Sequence, residues 1–183
     1  LYEIRLPEMS DMKTYDDTMR NHLGHFKASG ITHAIFGDIF LEDLRAYREN
    51  KLAELGLKAI FPIWKKDTNA LIDEFLDLGY QTIMVCTQKN LAEFCGQVIT
   101  KKLISQLPEG VDPCGENGEF HTFAFQGPIF KKSIHFELGE KVYRTYQAPK
   151  KDKTEPDSVC DSAADLGFWY MDLIDKFFYL KHF

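Results

Sequence analysis

The sequence predicts an α/β fold, a parallel sheet with crossover helices followed by a smaller α+β lobe. An apolar stripe at helical spacing, a closing glycine and a short strand-like run recur three times before residue 90; the glycines, Gly30, Gly56 and Gly79, stand 26 and 23 residues apart. Helix, glycine, strand in that order is the sequence form of right-handed βαβ crossovers in a parallel sheet. Beyond residue 90 the chain changes to turn clusters and alternating residues, so the expected domains are residues 1–90 and residues 91–183. A length of 183 residues with 44% hydrophobic and 14% aromatic content is enough to bury a full core.

Each element has its own signal. Leu1-Tyr2-Glu3-Ile4-Arg5-Leu6-Pro7 alternates as a strand does, without an initiator methionine, and reads as the inside of a larger domain. Tyr15, Met19, Leu23 and Phe26 share one helical face, opened by Thr14-x-x-Asp17 as a capping-box variant and closed by Gly30. The strand His33-Ala34-Ile35-Phe36 follows. Leu41, Leu44, Arg48, Leu52 and Leu55 mark the second helix, closed by Gly56 and followed by Lys58-Ala59-Ile60-Phe61. Asp67 or Thr68 caps the third helix, whose stripe is Leu71, Phe75 and Leu78; after Gly79, Thr82-Ile83-Met84-Val85-Cys86 is expected to continue the parallel sheet.

In the second lobe a helix is expected from about Ile99 to Leu107, then the turn cluster Pro108-Glu109-Gly110-Val111-Asp112-Pro113. The segment Cys114-Gly115-Glu116-Asn117-Gly118-Glu119-Phe120-His121-Thr122-Phe123 reads as a loop entering a strand, with Glu119 and His121 on one face. Residues 129–146 alternate as β structure around a Gly139 turn, and the polar stretch 147–163 is read as a mobile connection able to act as a lid. Gly167-Phe168-Trp169-Tyr170-Met171-Asp172-Leu173-Ile174 reads as a strand returning to this lobe, its aromatics serving the core.

Charge and cysteine usage narrow the function. With 28 acids against 22 bases the formal charge is −6, so no general basic surface is offered to a phosphate backbone and no nucleic-acid partner is expected. Cys86, Cys95, Cys114 and Cys160 form no C-x-x-C pair and read as reduced thiols of a cytoplasmic protein, without structural zinc. No apolar run of about 18 residues or signal peptide occurs, so neither membrane nor secretion is implied.

Ligands of open parallel sheets gather beyond the carboxyl ends of the strands, which singles out Gly37 and Asp38, Pro62 to Trp64, and Thr87 to Lys89. Asp38 can accept from a ribose hydroxyl, hold Mg2+ through water or cap the next helix. Arg45 and Arg48 suit phosphate or carboxylate oxygens, or form a surface ion-pair set with Glu42 and Glu49. Trp64 stacks on a ligand ring or packs. In the glycine-glutamate segment, Gly115 and Gly118 allow close backbone approach, while Glu116, Asn117, Glu119, His121 and Thr122 supply donors and acceptors; a solvated hairpin is the alternative.

Gly37-Asp38-Ile39, Arg45-x-x-Arg48-Glu49, Pro62-Ile63-Trp64, the segment from Cys114 to Phe123, and Gly127-Pro128-Ile129-Phe130 occur in order over residues 1–146. This series resembles the diphthine-ammonia ligase family of N-type ATP pyrophosphatases. The resemblance implies a Rossmann-like adenine nucleotide alpha-hydrolase (HUP-type) domain, partial here over residues 1–90, and a C-terminal lobe bearing the glycine-glutamate motif. It implies ATP with Mg2+, activation of a carboxylate as an acyl-adenylate, displacement of AMP by ammonia, and diphthine on translation elongation factor 2 as the protein substrate. Under it Gly37, Asp38, Arg45 and Arg48 meet the nucleotide. Glu116 or Glu119 binds ammonium and takes its proton, with His121 orienting or relaying. Trp64, Gly115, Asn117, Gly118 and Thr122 border the acyl substrate, whose quaternary ammonium is met by the same acids and by Trp64 through charge and cation–π attraction. The family's Ser-Gly-Gly-x-Asp-Ser phosphate loop does not occur in these 183 residues, so this stretch is expected to begin one or two βα units late and to be inactive alone. Other readings are adenylation serving another nucleophile on a small molecule or a tRNA, and a non-catalytic nucleotide-binding module.

Overall fold

The computed structural model describes residues 2–7, 11–146 and 166–175. They fall into two compact units that divide between Lys66 and Asp67, earlier than the boundary expected at residue 90.

The first unit contains α1 (Met12–Ala28), β1 (His33–Ile35), α2 (Glu42–Glu54) and β2 (Lys58–Ile60). β1 and β2 pair in parallel, Ala34 against Ala59, with α2 as the connection, so this part of the predicted pattern is observed. The side chain of Asp11 caps α1 by accepting from the Thr14 amide at 2.7 Å. The helix therefore starts before the Thr14 box. Gly30 and Gly56 end their helices with positive φ, as the closing glycines require. Residues 2–7 form no strand; Tyr2 instead lies edge-on to Phe26 and contacts Nδ1 of His22 at 2.8 Å. Among the described residues of this unit, the buried hydrophobics are Ile39, Leu52 and Leu57, and a cavity of about 170 Å³ lies among Met19, Leu23, Phe36, Leu44 and Leu52. Charged contacts join the two helices. Arg20 meets Glu54 at 2.5 Å and Lys51 meets Asp16 at 2.6 Å, while the Tyr47 hydroxyl donates to the same Asp16 carboxylate.

The second unit contains α3 (Thr68–Asp77), β3 (Gln81–Gln88), the short α4 (Lys101–Ile104), β4 (Phe120–Gln126), β5 (Phe136–Tyr146) and β6 (Leu166–Asp175). Asp67 caps α3, accepting from the Ala70 amide at 2.8 Å. The sheet order is β4-β3-β6-β5 and every pairing is antiparallel. β3 therefore does not extend the parallel sheet. Its run of buried residues marks a strand covered on both faces, a pattern that names no pairing partner. The helix expected from Ile99 to Leu107 shortens to one turn, because Val98 bridges to Ile83 and the Ile99 amide donates to Thr82 O at 2.8 Å before Thr100 caps α4. β5 passes straight through Gly139, with a register shift between Leu138 and Lys141 instead of a turn. β6 is a strand of this lobe, as its aromatic run predicts, and occupies an inner position.

Met84, Leu91, Phe94, Ile99, Leu103, Ile72 and Phe120 form the core of this unit. The connection expected at 147–163, like Cys160, lies outside the described residues. Among the described residues no helix is long and apolar enough to cross a membrane.

Candidate functional site

The glycine-glutamate segment folds as a loop closed on itself by two buried carboxylates. Asp112 is 8% exposed and Glu119 is 6% exposed. Glu119 Oε1 accepts from the Asp112 amide and from Asn117 Nδ2, each at 3.0 Å, and Oε2 accepts from the Asn117 amide at 3.0 Å. Asp112 Oδ2 accepts from the Glu116 amide at 2.9 Å, and Asp112 O accepts from the Gly115 amide at 2.9 Å. Gly115 adopts φ +72°, and a Cβ there would lie 2.8 Å from Phe120 O, so both conformation and space require glycine.

The loop is tied to the end of β3. The Gln88 amide donates to Glu119 O at 2.8 Å, and Gln88 Nε2 donates to Gly118 O at 3.3 Å. Burial pushes the Glu119 carboxyl up, but the hydrogen bonds from Asp112 and Asn117 outweigh it and hold the group below its ordinary value. Cys114 donates from Sγ to Thr68 O at 3.3 Å. Burial first, then the charges of Asp112, Glu116 and Asp67, push its thiol up to about 11. The loop is thus an acidic environment around a protonated thiol.

Glu119 and His121 do not share a face. β4 begins at Phe120, so Glu119 turns back into the loop while His121 is exposed on the strand. His121 stands opposite Cys86, whose other neighbour is Tyr170; an open cavity of about 470 Å³ is lined by Cys86, His121, Phe168 and Tyr170. Thr122 follows on β4, exposed and opposite Met84.

Gly37, Asp38, Arg45, Arg48 and Trp64 belong to the first unit. Gly37 follows β1 with nothing within 4 Å of the space a Cβ would take. Asp38 is buried and does not cap α2, whose N-cap is Leu41. Its Oδ2 lies 3.0 Å from Arg48 Nε, an ion pair at an angle outside hydrogen-bond geometry. The Arg48 guanidinium also sits 4.5 Å from the Phe36 ring centroid. Arg45 pairs with Glu49 at 2.9 Å and lies 4.6 Å from the Trp64 ring and 4.9 Å from the Phe61 ring. Glu42 is taken by Lys65 at 3.0 Å, so only half of the expected ion-pair set forms. Trp64 packs against Phe61 and Arg45.

Asp112 and Gln88 were not singled out by sequence reasoning as loop partners. An Asp four residues before Glu116 and next to Pro113 was the available signal, since such residues cap turns with their side chains.

A family model described as the diphthamide synthase C-terminal domain matches residues 67–153, which include the loop and start where the second unit starts. The diphthine--ammonia ligase of Schizosaccharomyces pombe is 31% identical over 121 residues, 58% of this chain and 20% of that protein. That of Danio rerio is 29% identical over 136 residues, 69% of this chain and 52% of that protein. Over residues 67–153 the chain is similar to the diphthamide synthase C-terminal domain, and the relatives it matches are diphthine--ammonia ligases. The ligase of Homo sapiens is 26% identical over 119 residues, 61% of this chain and 45% of that protein. The chain thus spans from 20% to 52% of the length of these curated relatives.

Proposed function

We propose that this chain forms part of a cytoplasmic ATP-dependent ligase that makes an amide from ammonia and the diphthine carboxylate of translation elongation factor 2. A carboxylate oxygen attacks the α-phosphorus of ATP, giving an acyl-adenylate and releasing pyrophosphate. Ammonia then attacks the acyl carbon, AMP leaves and one proton is lost as the amide forms.

The loop from Asp112 to Glu119 carries this reading. The amides of Gly115, Glu116, Asn117 and Gly118 all donate to acceptors within the loop, so these four groups offer no cradle to a phosphate or an oxyanion. What the loop offers is negative charge, which suits ammonium. Glu119, saturated by amides and held acidic, fits a structural part better than that of a base. Glu116 is assigned the proton from ammonium, His121 its orientation or relay, and Gly115, Asn117, Gly118 and Thr122 the border of the acyl substrate.

ATP and Mg2+ are assigned to the first unit. Asp38 is its one buried carboxylate among the described residues, and Gly37 leaves open space beside it. No group of three His, Cys, Asp or Glu side chains able to hold a metal occurs among the described residues, but a Mg2+ that keeps its waters and phosphate oxygens needs only one or two protein carboxylates. Arg45 and Arg48 are already paired with Glu49 and Asp38, so they reach a phosphate only by exchanging partners. Trp64 enters through its hold on Arg45.

The test is pyrophosphate release by the full natural protein with ATP, Mg2+, ammonium and diphthine-bearing elongation factor 2. Release should require all four, and Glu116→Gln should slow amide formation by about 100-fold. Normal ammonia-dependent turnover in both Glu116→Gln and Glu119→Gln would remove the loop from the mechanism. Release with a small-molecule acid alone would exclude elongation factor 2 as the substrate.

A further inference from the structure

Resting on the ligase reading above, we propose that Asp112 is a positioning residue for the ammonia step. Its carboxylate holds the Glu116 amide and so fixes the backbone that carries the Glu116 side chain. Three groups of Asp112 meet three parts of the loop. Its N–H donates to Glu119 Oε1 at 3.0 Å, its C=O accepts from the Gly115 amide at 2.9 Å, and Oδ2 accepts from the Glu116 amide at 2.9 Å.

The need for such a hold follows from the backbone. Glu116 and Asn117 lie between Gly115 at φ +72° and Gly118 at φ +79°. Glycines have broad, soft dihedral wells on both sides of zero, so the peptide before Glu116 is free to reorient unless something grips it. The Asp112 carboxylate is that grip, and it is 8% exposed, away from the water that would compete for the amide. Asn117 is held separately, through Glu119. The two buried carboxylates thus divide the loop, Glu119 closing its ends and Asp112 aiming its middle.

Asp112→Ala removes only the side-chain bond and leaves the backbone bonds to Glu119 and Gly115 available. Asp112→Asn keeps an oxygen acceptor at that place without the charge. In the full natural protein, Asp112→Ala should lower kcat for amide formation by at least about tenfold, with KM for ammonium and the adenylation half-reaction unchanged. Asp112→Asn should restore most of that loss. The Glu116 amide gives a readout independent of turnover: its proton resonance should move upfield and its exchange quicken in Asp112→Ala, while Asp112→Asn stays near wild type. An unchanged Glu116 amide in Asp112→Ala overturns the positioning role by itself. So does wild-type kcat in Asp112→Ala, equal impairment of both variants, or a loss confined to KM for ammonium, which would mean that Asp112 recruits the cation by charge. Absence of ammonium-dependent turnover in the wild-type protein removes the ligase reading instead, and leaves the amide comparison to decide whether Asp112 grips Glu116.

Discussion

The two units hold themselves together by different means. In the first, three hydrophobic residues are buried among those described, and α1 and α2 are joined by Asp16, Tyr47, Lys51, Arg20 and Glu54. The second surrounds Met84 and Leu91, both 0% exposed, with a contiguous core, and its two buried carboxylates among the described residues, Asp112 and Glu119, both serve one loop. The difference follows from sheet type. Parallel strands are stable when both faces are covered, yet Ile35 and Ile60, paired on one face of β1 and β2, are 70% and 40% exposed. An antiparallel sheet needs only one face covered; here α3 and the residues around Leu91 and Phe94 pack on it, and its inner strand β3 is buried on both faces. Apolar burial is concentrated in the second unit, whereas the first places charged pairs between its helices.

That contrast can be broken with the two tryptophans, since Trp64 reports on the first unit and Trp169 on the second. The largest effect is expected for Met84→Ala, about 2–5 kcal/mol of lost stability in urea unfolding followed at Trp169. Equal movement of a Trp64-dependent transition would mean one cooperative body. Next comes Glu119→Ala, which leaves buried amides without an acceptor at about 1–3 kcal/mol each. Because the Glu119 carboxyl is held below its ordinary value of 4.5, its contribution is complete above that pH and disappears as pH falls through its folded value. Glu119→Gln should therefore flatten the acid limb of the Trp169 transition. Asp67→Ala removes the α3 cap and should cost about 1 kcal/mol, again at Trp169.

Smaller effects are expected in the first unit. Burial, and then the hydrogen bond to Asp16, push the Tyr47 hydroxyl up to about 12 from 10.0, so its support is complete below pH 10.0 and is lost as pH rises through about 12. A spectrophotometric titration should show a late-titrating component that is lost in Tyr47→Phe. The smallest change is expected for Glu42→Gln, whose exposed pair with Lys65 is screened by solvent; a shift in the Trp64 transition as large as that of Asp67→Ala at Trp169 would show that the surface charges act as a network.

What could be read in the sequence was what local chemistry determines. Gly30, Gly56 and Gly79 end helices with positive φ, because a helix terminus needs that conformation whatever surrounds it. The aromatic run 168–170 announced β6 for a similar reason. Pairing was harder, since burial of Thr82 to Met84 marks an inner strand and is silent on its partner and direction. Gly139 looked like a turn because glycine usually is one; here a Cβ would lie 3.0 Å from the Cβ of Asp172, so the residue permits β6 to approach. The site divides in the same way. Gly115 and Gly118 signalled a loop, but the fate of Glu119 depended on amides from Asp112 and Asn117, whose positions only the folded loop defines.

The inner position of β6 has a consequence for the order in which the chain is made. β3 ends at Gln88 and β5 at Tyr146, whereas the strand that separates them begins at Leu166. Both are antiparallel to β6, so they run parallel to one another and have no ladder in common until it arrives. A nascent chain emerging from the ribosome as far as β5 therefore carries two strands with unsatisfied edges, open to pairing with neighbours. Translation that stops between Tyr146 and Leu166 leaves this lobe without its keystone, and such a product is a substrate for chaperones or proteolysis before it can be a partner for anything else.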